Sequence, residues 1–322
     1  MVDRIPSGTR DFLPDEMREL RAMTDRIRAV FDEAGYGEVY TPALEFETTF
    51  PRASAPRPAY RVFDEHGNVL VLRADMTVPI ARVAATRYAH ADPPLRFCYV
   101  AHAYRGVRPQ RGQSREFLQA GIELLGVPAA EGTAEVLGVL CAALEAAGLE
   151  SFRVGVGDAA LYPALLETFG VAPTASERIL TELVQGDFVG VEREVRGLGL
   201  GADEVELLLR VACTRGGPEL LDGLGEVAEG ALAGMRALHA QLEPRVAERV
   251  IFDLGLVRSL GYYTGAVFQV YDPAYGVPIG SGGRYDELLG LFGRPLPAVG
   301  FALNVERVHI ALTGEERGRA RG

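Results

Sequence analysis

Apolar residues first recur at helical spacing at Met17, Leu20, Met23, Ile27 and Phe31, behind Pro14 and ahead of Gly35. Side chains spaced this way share one face, so the pattern predicts a helix over 14–35, with proline at its first position and glycine ending it. Three short runs of β-branched and aromatic residues follow: EVYTP (38–42), YRVFD (60–64) and VLVLR (69–73), the last two joined by a turn at EHGN. Residues 75–88 read as a helix capped by Asp75. PLRFCYVAHAYR (94–105) and REFLQAGIELLG (115–126) predict two long strands joined by the polar loop GVRPQRGQS (106–114). A further helix is predicted at 131–147 and a strand at SFRVGVG (151–157).

From about 159 to 245 the periodicity turns entirely helical, broken at Gly170, Gly199–Gly201 and Gly216–Pro218. Strand patterns return in RVIFDLG (249–255), GAVFQVYD (265–272) and LPAVGFAL (296–303), and a short helix starts at Asn304. Consecutive strands connected by hairpins and polar loops favour an antiparallel sheet flanked by helices, an α+β fold and not a doubly wound one. The expected organisation is a discontinuous core of residues 1–158 and 246–312, a helical insertion at 159–245, and a disordered tail at 313–322, where TGEERGRARG is poor in apolar residues.

Composition narrows the chemistry. The 322 residues are 48% apolar and 24% charged, and 33 basic against 44 acidic residues give a net charge of −11. A protein that tracks a nucleic-acid backbone needs a basic surface, and the chain lacks that overall bias. It contains no lysine, so all 33 cations are arginines. Schiff-base chemistry, pyridoxal-phosphate anchoring and the P-loop all require lysine and are excluded. Arginine instead offers a planar fork for carboxylates and phosphates. Cys98, Cys141 and Cys213 are widely separated, which argues against both a disulfide framework and a metal site. The N-terminal stretch has no apolar segment of the signal-peptide kind, and no apolar run nears the roughly 20 residues that span a bilayer. A reduced, cytoplasmic location is expected, with no membrane contact.

Three clusters carry candidate chemistry. RVGVGDAAL (153–161) contains G-x-G-x-x-A between a strand and a helix, but a helical stretch and not a second parallel strand follows it, so a tight turn explains its glycines better than a dinucleotide site. In YRGVRPQRGQSREFLQAGIE (104–123), Arg105 ends one strand, and Gln119 and Glu123 share one face of the next. A solvated hairpin tip accounts for Arg111, Gln113 and Ser114. It does not account for Arg105, Gln119 and Glu123, which sit in apolar strands. In LVRSLGYYTGAVFQVY (256–271) and IGSGGRYDELLG (279–290), Arg258 lies near Tyr262 and Tyr263, and Gly280, Gly282 and Gly283 allow a ligand close to the backbone. These elements suggest the floor of a pocket.

IPSGTRDFLPDE, YR…RPQRGQSREFLQAGIE, LVRSLGYYTG, GSGGRYDELL and PAVGFALNVERV occur in the order in which similar motifs stand in the histidyl-tRNA synthetase catalytic core, which the chain resembles over nearly all of residues 1–312. The resemblance implies a class II synthetase fold that dimerises through its first motif, here the helix 14–35 and the strand ending at Pro42. Several positions depart from the synthetase pattern. FRxE becomes Tyr104-Arg105-Gly106-Val107, and the following GR becomes Gly112-Gln113. RGLDYY becomes Arg258-Ser259-Leu260-Gly261-Tyr262-Tyr263, and LRPEGT becomes LRADMT at 72–77. The third motif has Asn304 for its usual glycine but keeps Arg307, and the chain ends where a synthetase continues into an anticodon-binding domain.

Those departures resemble the family of ATP phosphoribosyltransferase regulatory subunits. That resemblance implies a non-catalytic chain without synthetase activity, tRNA, metal or cofactor. It implies assembly with the short-form ATP phosphoribosyltransferase catalytic subunit, a role in the first step of histidine biosynthesis, and feedback inhibition by histidine. By position, the implied histidine-site residues are Asp75, Thr77, Arg105, Gln119, Glu123, Arg258, Tyr262, Tyr263 and Tyr285. Asp75 and Thr77 would hold the α-ammonium, Glu123 and Tyr263 the imidazole, and Arg258 the carboxylate. For Asp75 and Thr77 the competing reading is helix capping. Two further readings of the whole chain stand beside this one. The first is a truncated ligase that makes an aminoacyl-adenylate for an acceptor other than tRNA. The second is a scaffold without a ligand, in which these polar residues would not converge.

Overall fold

The computed structural model describes residues 5–49, 59–106, 114–222, 229–257 and 261–319. Helix α1 (Pro14–Glu33) buries Leu20, Met23, Ile27 and Phe31, the stripe read from the sequence. It leads to β1 (Gly37–Glu38) and to a small sheet of β2 (Leu44–Phe46), β3 (Arg61–Phe63) and β4 (Val69–Leu72). Then come α2 (Thr77–Thr86), β5 (Leu95–Tyr104), β6 (Glu116–Leu125), α3 (Ala129–Ala147) and β7 (Arg153–Asp158). The helical stretch contains α4 (Leu161–Thr168), α5 (Pro173–Gln185), α6 (Phe188–Arg196), α7 (Ala202–Cys213), β8 (Arg215–Gly216), α8 (Glu229–Gln241) and α9 (Pro244–Ala247). The chain then returns through β9 (Val250–Asp253), β10 (Ala266–Asp272), β11 (Tyr275–Arg284), β12 (Ala298–Asn304) and α10 (Val305–Arg319).

Nine strands form one sheet in the order β1-β5-β6-β12-β11-β10-β7-β9-β8. Its centre, from β5 to β7, is antiparallel, as expected for an α+β fold. The pairs β1/β5 and β7/β9 are parallel, so the sheet as a whole is mixed. Parallel neighbours need a long crossover. The small sheet and α2 supply it between β1 and β5, and the helical stretch between β7 and β9.

Alternation along the strands sorts the large sheet into two faces. Cys98, Ala120, Ile122, Leu124, Val154, Val156, Phe268, Val270, Val299, Phe301 and Leu303 are buried in one apolar cluster with α1, α3 and α10. Phe31 of α1 meets the Phe301 ring edge-on at 5.9 Å. Leu161, Ile179, Val191, Leu208, Val211, Leu232 and Leu238 of the helical stretch join that cluster. Among the described residues the opposite face is covered only at one end, where Met76, Ile80 and Ala84 pack with Leu95, Phe97, Leu125, Tyr285 and Leu288. The rest of that face, open among those residues, carries the site.

Three sequence expectations need correction, and one strand, β11, has no counterpart among the predicted ones; its glycines answer to crowding between strands, described below. Within 159–245, Arg215–Gly216 form the edge strand β8, held by the Arg215–Asp253 ion pair at 2.7 Å. Of 38–42 only Glu38 lies in a strand, and Tyr40 is exposed. Residues 313–319 are helical and continue α10. Glu315 anchors them by accepting hydrogen bonds from the backbone N–H groups of Glu150 (3.1 Å) and Ser151 (2.8 Å). That long-range contact is invisible to local composition.

Candidate functional site

The open face is built from small residues. Register places Gly121 beside Tyr99 and Ala302, Gly300 beside Glu123 and Gly283, and Ser281 beside Ala302 and Gln269. Two of these glycines are dictated by close approach. A Cβ on Gly121 would sit 2.1 Å from the Phe301 carbonyl and 2.5 Å from the Tyr99 hydroxyl. One on Gly300 would sit 1.9 Å from the Glu123 carboxylate. A floor with almost no side chains leaves space above it, and the larger residues around its edge define what enters.

An inner pocket of about 40 Å³ opens there, lined by Asp75, Thr77, Tyr99, Arg105, Gln119, Tyr262, Tyr263 and Tyr285, among others. Seven of the nine candidates from the sequence therefore meet on one wall. Asp75 precedes α2 and accepts a hydrogen bond from the Val78 N–H at 3.3 Å, so it caps the helix and faces the pocket at once. The tyrosines form a ring cluster, with Tyr262 4.9 Å from Tyr263 and 5.8 Å from Tyr285 between centroids. The Arg105 guanidinium lies over the Phe117 ring at 4.7 Å, and its backbone N–H donates to the Arg115 carbonyl at 2.8 Å. Gln119 is 5% exposed, and its Oε1 has no hydrogen-bond partner among the described residues. A buried acceptor left open in this way costs about 1–3 kcal/mol, which a ligand donor recovers.

The eighth candidate, Glu123, stands behind the wall. It is 1% exposed, and its carboxylate accepts hydrogen bonds from Thr77 Oγ1 at 2.8 Å and from the Tyr285 hydroxyl. Burial pushes its pKa up to about 8 against the lowering effect of those two hydroxyls, with Asp75 raising it further. Burial likewise raises the Tyr99 and Tyr285 phenols, both next to Glu123. The ninth candidate, Arg258, lies outside the described residues, as does most of the loop 106–114.

Sequence reasoning missed Tyr99, whose hydroxyl donates to the Phe301 carbonyl at 3.3 Å. The signal was present: Tyr99 is six residues before Arg105, an even spacing that puts both on one strand face. Beyond Arg105 and Gln119 the pocket widens into an annex of about 250 Å³, reached also by Phe117, Gln269, Asn304 and Arg307. Asn304, the last residue of β12, accepts a hydrogen bond from the Arg307 N–H in the first turn of α10 at 3.0 Å. The G-x-G-x-x-A segment plays no part in either space. Its Gly157 lets β7 pass close to Asp253 and Leu256, where a Cβ would meet atoms at 2.6 and 2.8 Å. Among the described residues no group of His, Cys, Asp and Glu is placed to hold a metal ion, and no helix is long and apolar enough to cross a membrane.

Comparison with known proteins adds to this geometry. The histidyl-tRNA synthetase family profile matches residues 8–308. The ATP phosphoribosyltransferase regulatory subunit of Symbiobacterium thermophilum is 41% identical over 317 residues, covering 96% of this chain and 79% of that one. The protein of the same name from Moorella thermoacetica is 39% identical over 318 residues, covering 96% and 82%. The crystal structure of an ATP phosphoribosyltransferase regulatory subunit/histidyl-tRNA synthetase from Bacillus halodurans matches with a TM-score of 0.89 at 36% identity, covering 97% of this chain and 83% of that one. Histidyl-tRNA synthetase from Nostoc, at 21% identity, shares the fold with a TM-score of 0.81 over 98% of this chain and 76% of that one.

Proposed function

The chain belongs to the histidyl-tRNA synthetase family, among its ATP phosphoribosyltransferase regulatory subunits, and we propose that it serves that transferase as a histidine sensor and performs no chemistry itself. The observation that carries this reading is the single pocket on which Asp75, Thr77, Arg105, Gln119, Tyr262, Tyr263 and Tyr285 meet. A scaffold without a ligand would have no use for a buried, open acceptor at Gln119. The inner end pairs a carboxylate with aromatic faces, which suits an amine and an imidazole ring. Glu123 acts at one remove, fixing the hydroxyls of Thr77 and Tyr285 that face the ligand. Arg105, at the outer edge, takes the carboxylate, and Arg258 assists it. Glycosyl transfer takes place in the partner catalytic subunit, and no tRNA takes part.

Self-association fits the first motif. Tyr40, Phe63, Leu13 and Phe46 are more than half exposed around the start of α1, the segment after β1 and the small sheet. We infer that these exposed apolar side chains belong to an interface whose occupant is a second copy of the chain.

Regulation requires histidine to bind one arrangement of the complex more tightly than another, because equal affinity shifts nothing. The test is transferase turnover in the reconstituted complex across a histidine titration. The reading expects the chain to stimulate turnover and histidine to inhibit it. Histidine inhibition that survives both Gln119→Leu and Arg105→Ala would place the sensor elsewhere.

A further inference from the structure

The inner pocket and the annex are two parts of one cavity, joined along Arg105, Gln119, Ser281 and Ala302. Their polarity is sorted. The inner part holds the Asp75 carboxylate and the open Oε1 of Gln119. The annex is the larger, and its charged lining residues are Arg105 and Arg307, with no Asp or Glu among the described residues there. Both guanidinium groups are held in place. Arg105 lies over Phe117, and Arg307 Nη1 donates to the Pro278 carbonyl at 2.8 Å. Gln269 and Ser281 add an amide and a hydroxyl to the same walls.

Arg307 lines the annex and not the inner pocket, whereas Asp75 lines the inner pocket and not the annex. A ligand that fills the inner pocket alone, as the histidine reading requires, leaves Arg307 unused. A longer ligand, cationic at one end and strongly anionic at the other, would use both parts. A phosphate group carries about −1.5 to −2 charges and three acceptor oxygens, which suits two guanidinium forks better than a carboxylate does.

We propose that this cavity takes a phosphate monoester of an imidazole-bearing primary amine, its head in the inner pocket and its phosphate between Arg105 and Arg307. The proposal rests on the reading that the inner pocket accepts the histidine head. Such a compound would act on the transferase complex as a second effector, distinct from free histidine.

Calorimetry on the full chain, alone and with the catalytic subunit, tests it with histidine, histidinol and histidinol phosphate as probes. Histidinol phosphate is expected to bind about ten-fold tighter than histidinol, the scale of one charge-assisted contact. Arg307→Gln should remove that advantage while histidine affinity stays within about two-fold, which also shows that the variant is folded. Gln269→Ala, a second annex variant, should reduce the same advantage. Histidine binding with histidinol phosphate no tighter than histidinol overturns the proposal and leaves the histidine site standing. Simultaneous binding of histidine and adenosine monophosphate would also overturn it, because the annex would then serve a separate nucleotide. Failure of every probe, histidine included, removes the underlying reading and this one with it.

Discussion

Replacing Glu123 with glutamine keeps the shape of a fully buried side chain and removes its titration. In the native state burial holds the carboxyl at about 8, whereas its ordinary value is 4.5. Between those values the folded chain keeps a proton that the unfolded chain has released. The slope of stability with pH follows the protons bound unfolded minus those bound folded, which is negative here, so this group costs stability as pH rises from about 4.5 to about 8. At 1.36 kcal/mol per unit, the loss between pH 5 and pH 7 is roughly 2–3 kcal/mol. The Glu123→Gln variant escapes it. The two hydroxyls of Thr77 and Tyr285 can rotate to serve an amide, so the variant is expected to fold. Urea unfolding of both proteins at pH 5, 6 and 7 gives the difference directly, because titrations elsewhere in the chain are common to both. The expected result is a wild type that weakens relative to the variant by roughly 2–3 kcal/mol across that interval. Parallel pH profiles would mean that Glu123 is ionised in the native state at pH 5, and would refute the argument.

Further outcomes follow from the same structure. Gln119→Leu should weaken histidine binding by about 1–3 kcal/mol in calorimetry, since the ligand donor then faces an apolar group; unchanged affinity would move the site elsewhere. Arg258→Ala should leave the catalytic subunit stimulated but raise the histidine concentration needed for inhibition. Loss of stimulation with inhibition intact would assign Arg258 to assembly. Histidine-dependent exchange of pyrophosphate into ATP should stay at background, and clear exchange would favour the ligase alternative. Tyr40→Asp combined with Phe63→Asp should give a monomer by light scattering, because both side chains are exposed apolar groups on the proposed dimer surface; an unchanged dimer would place the interface elsewhere.

The elements most legible in the sequence were those with unbroken periodicity. Helix α1 and strands β5 and β6 fall within a few residues of their expected bounds, because long apolar runs with one period leave little choice. Strand β11 was not legible. Glycines at 280, 282 and 283 leave no alternating pattern of side chains to read, yet a Cβ on Gly282 would sit 2.2 Å from the Gly300 carbonyl across the sheet. The parallel pairings of β1 and β9 also depend on partners far away in sequence. The candidate pocket was legible in its polar residues, since Arg105 and Gln119 interrupt apolar strands. Tyr99 was hidden because an aromatic residue in a strand reads as core. The placement of Glu123 behind Thr77 and Tyr285, and not on the wall itself, needed the three-dimensional register.

A cavity floored by Ser281, Gly300 and Ala302 is defined by side chains that are not there. Such a design is easily closed: one branched residue in place of Ala302, which lines both pocket and annex, would narrow the passage between them without replacing a charged group. For a sensor, this separates the control input from the framework that carries it. On the histidine-sensing reading proposed above, loss of the response then lies one substitution away from the present sequence, at a position that carries no charge and binds nothing itself.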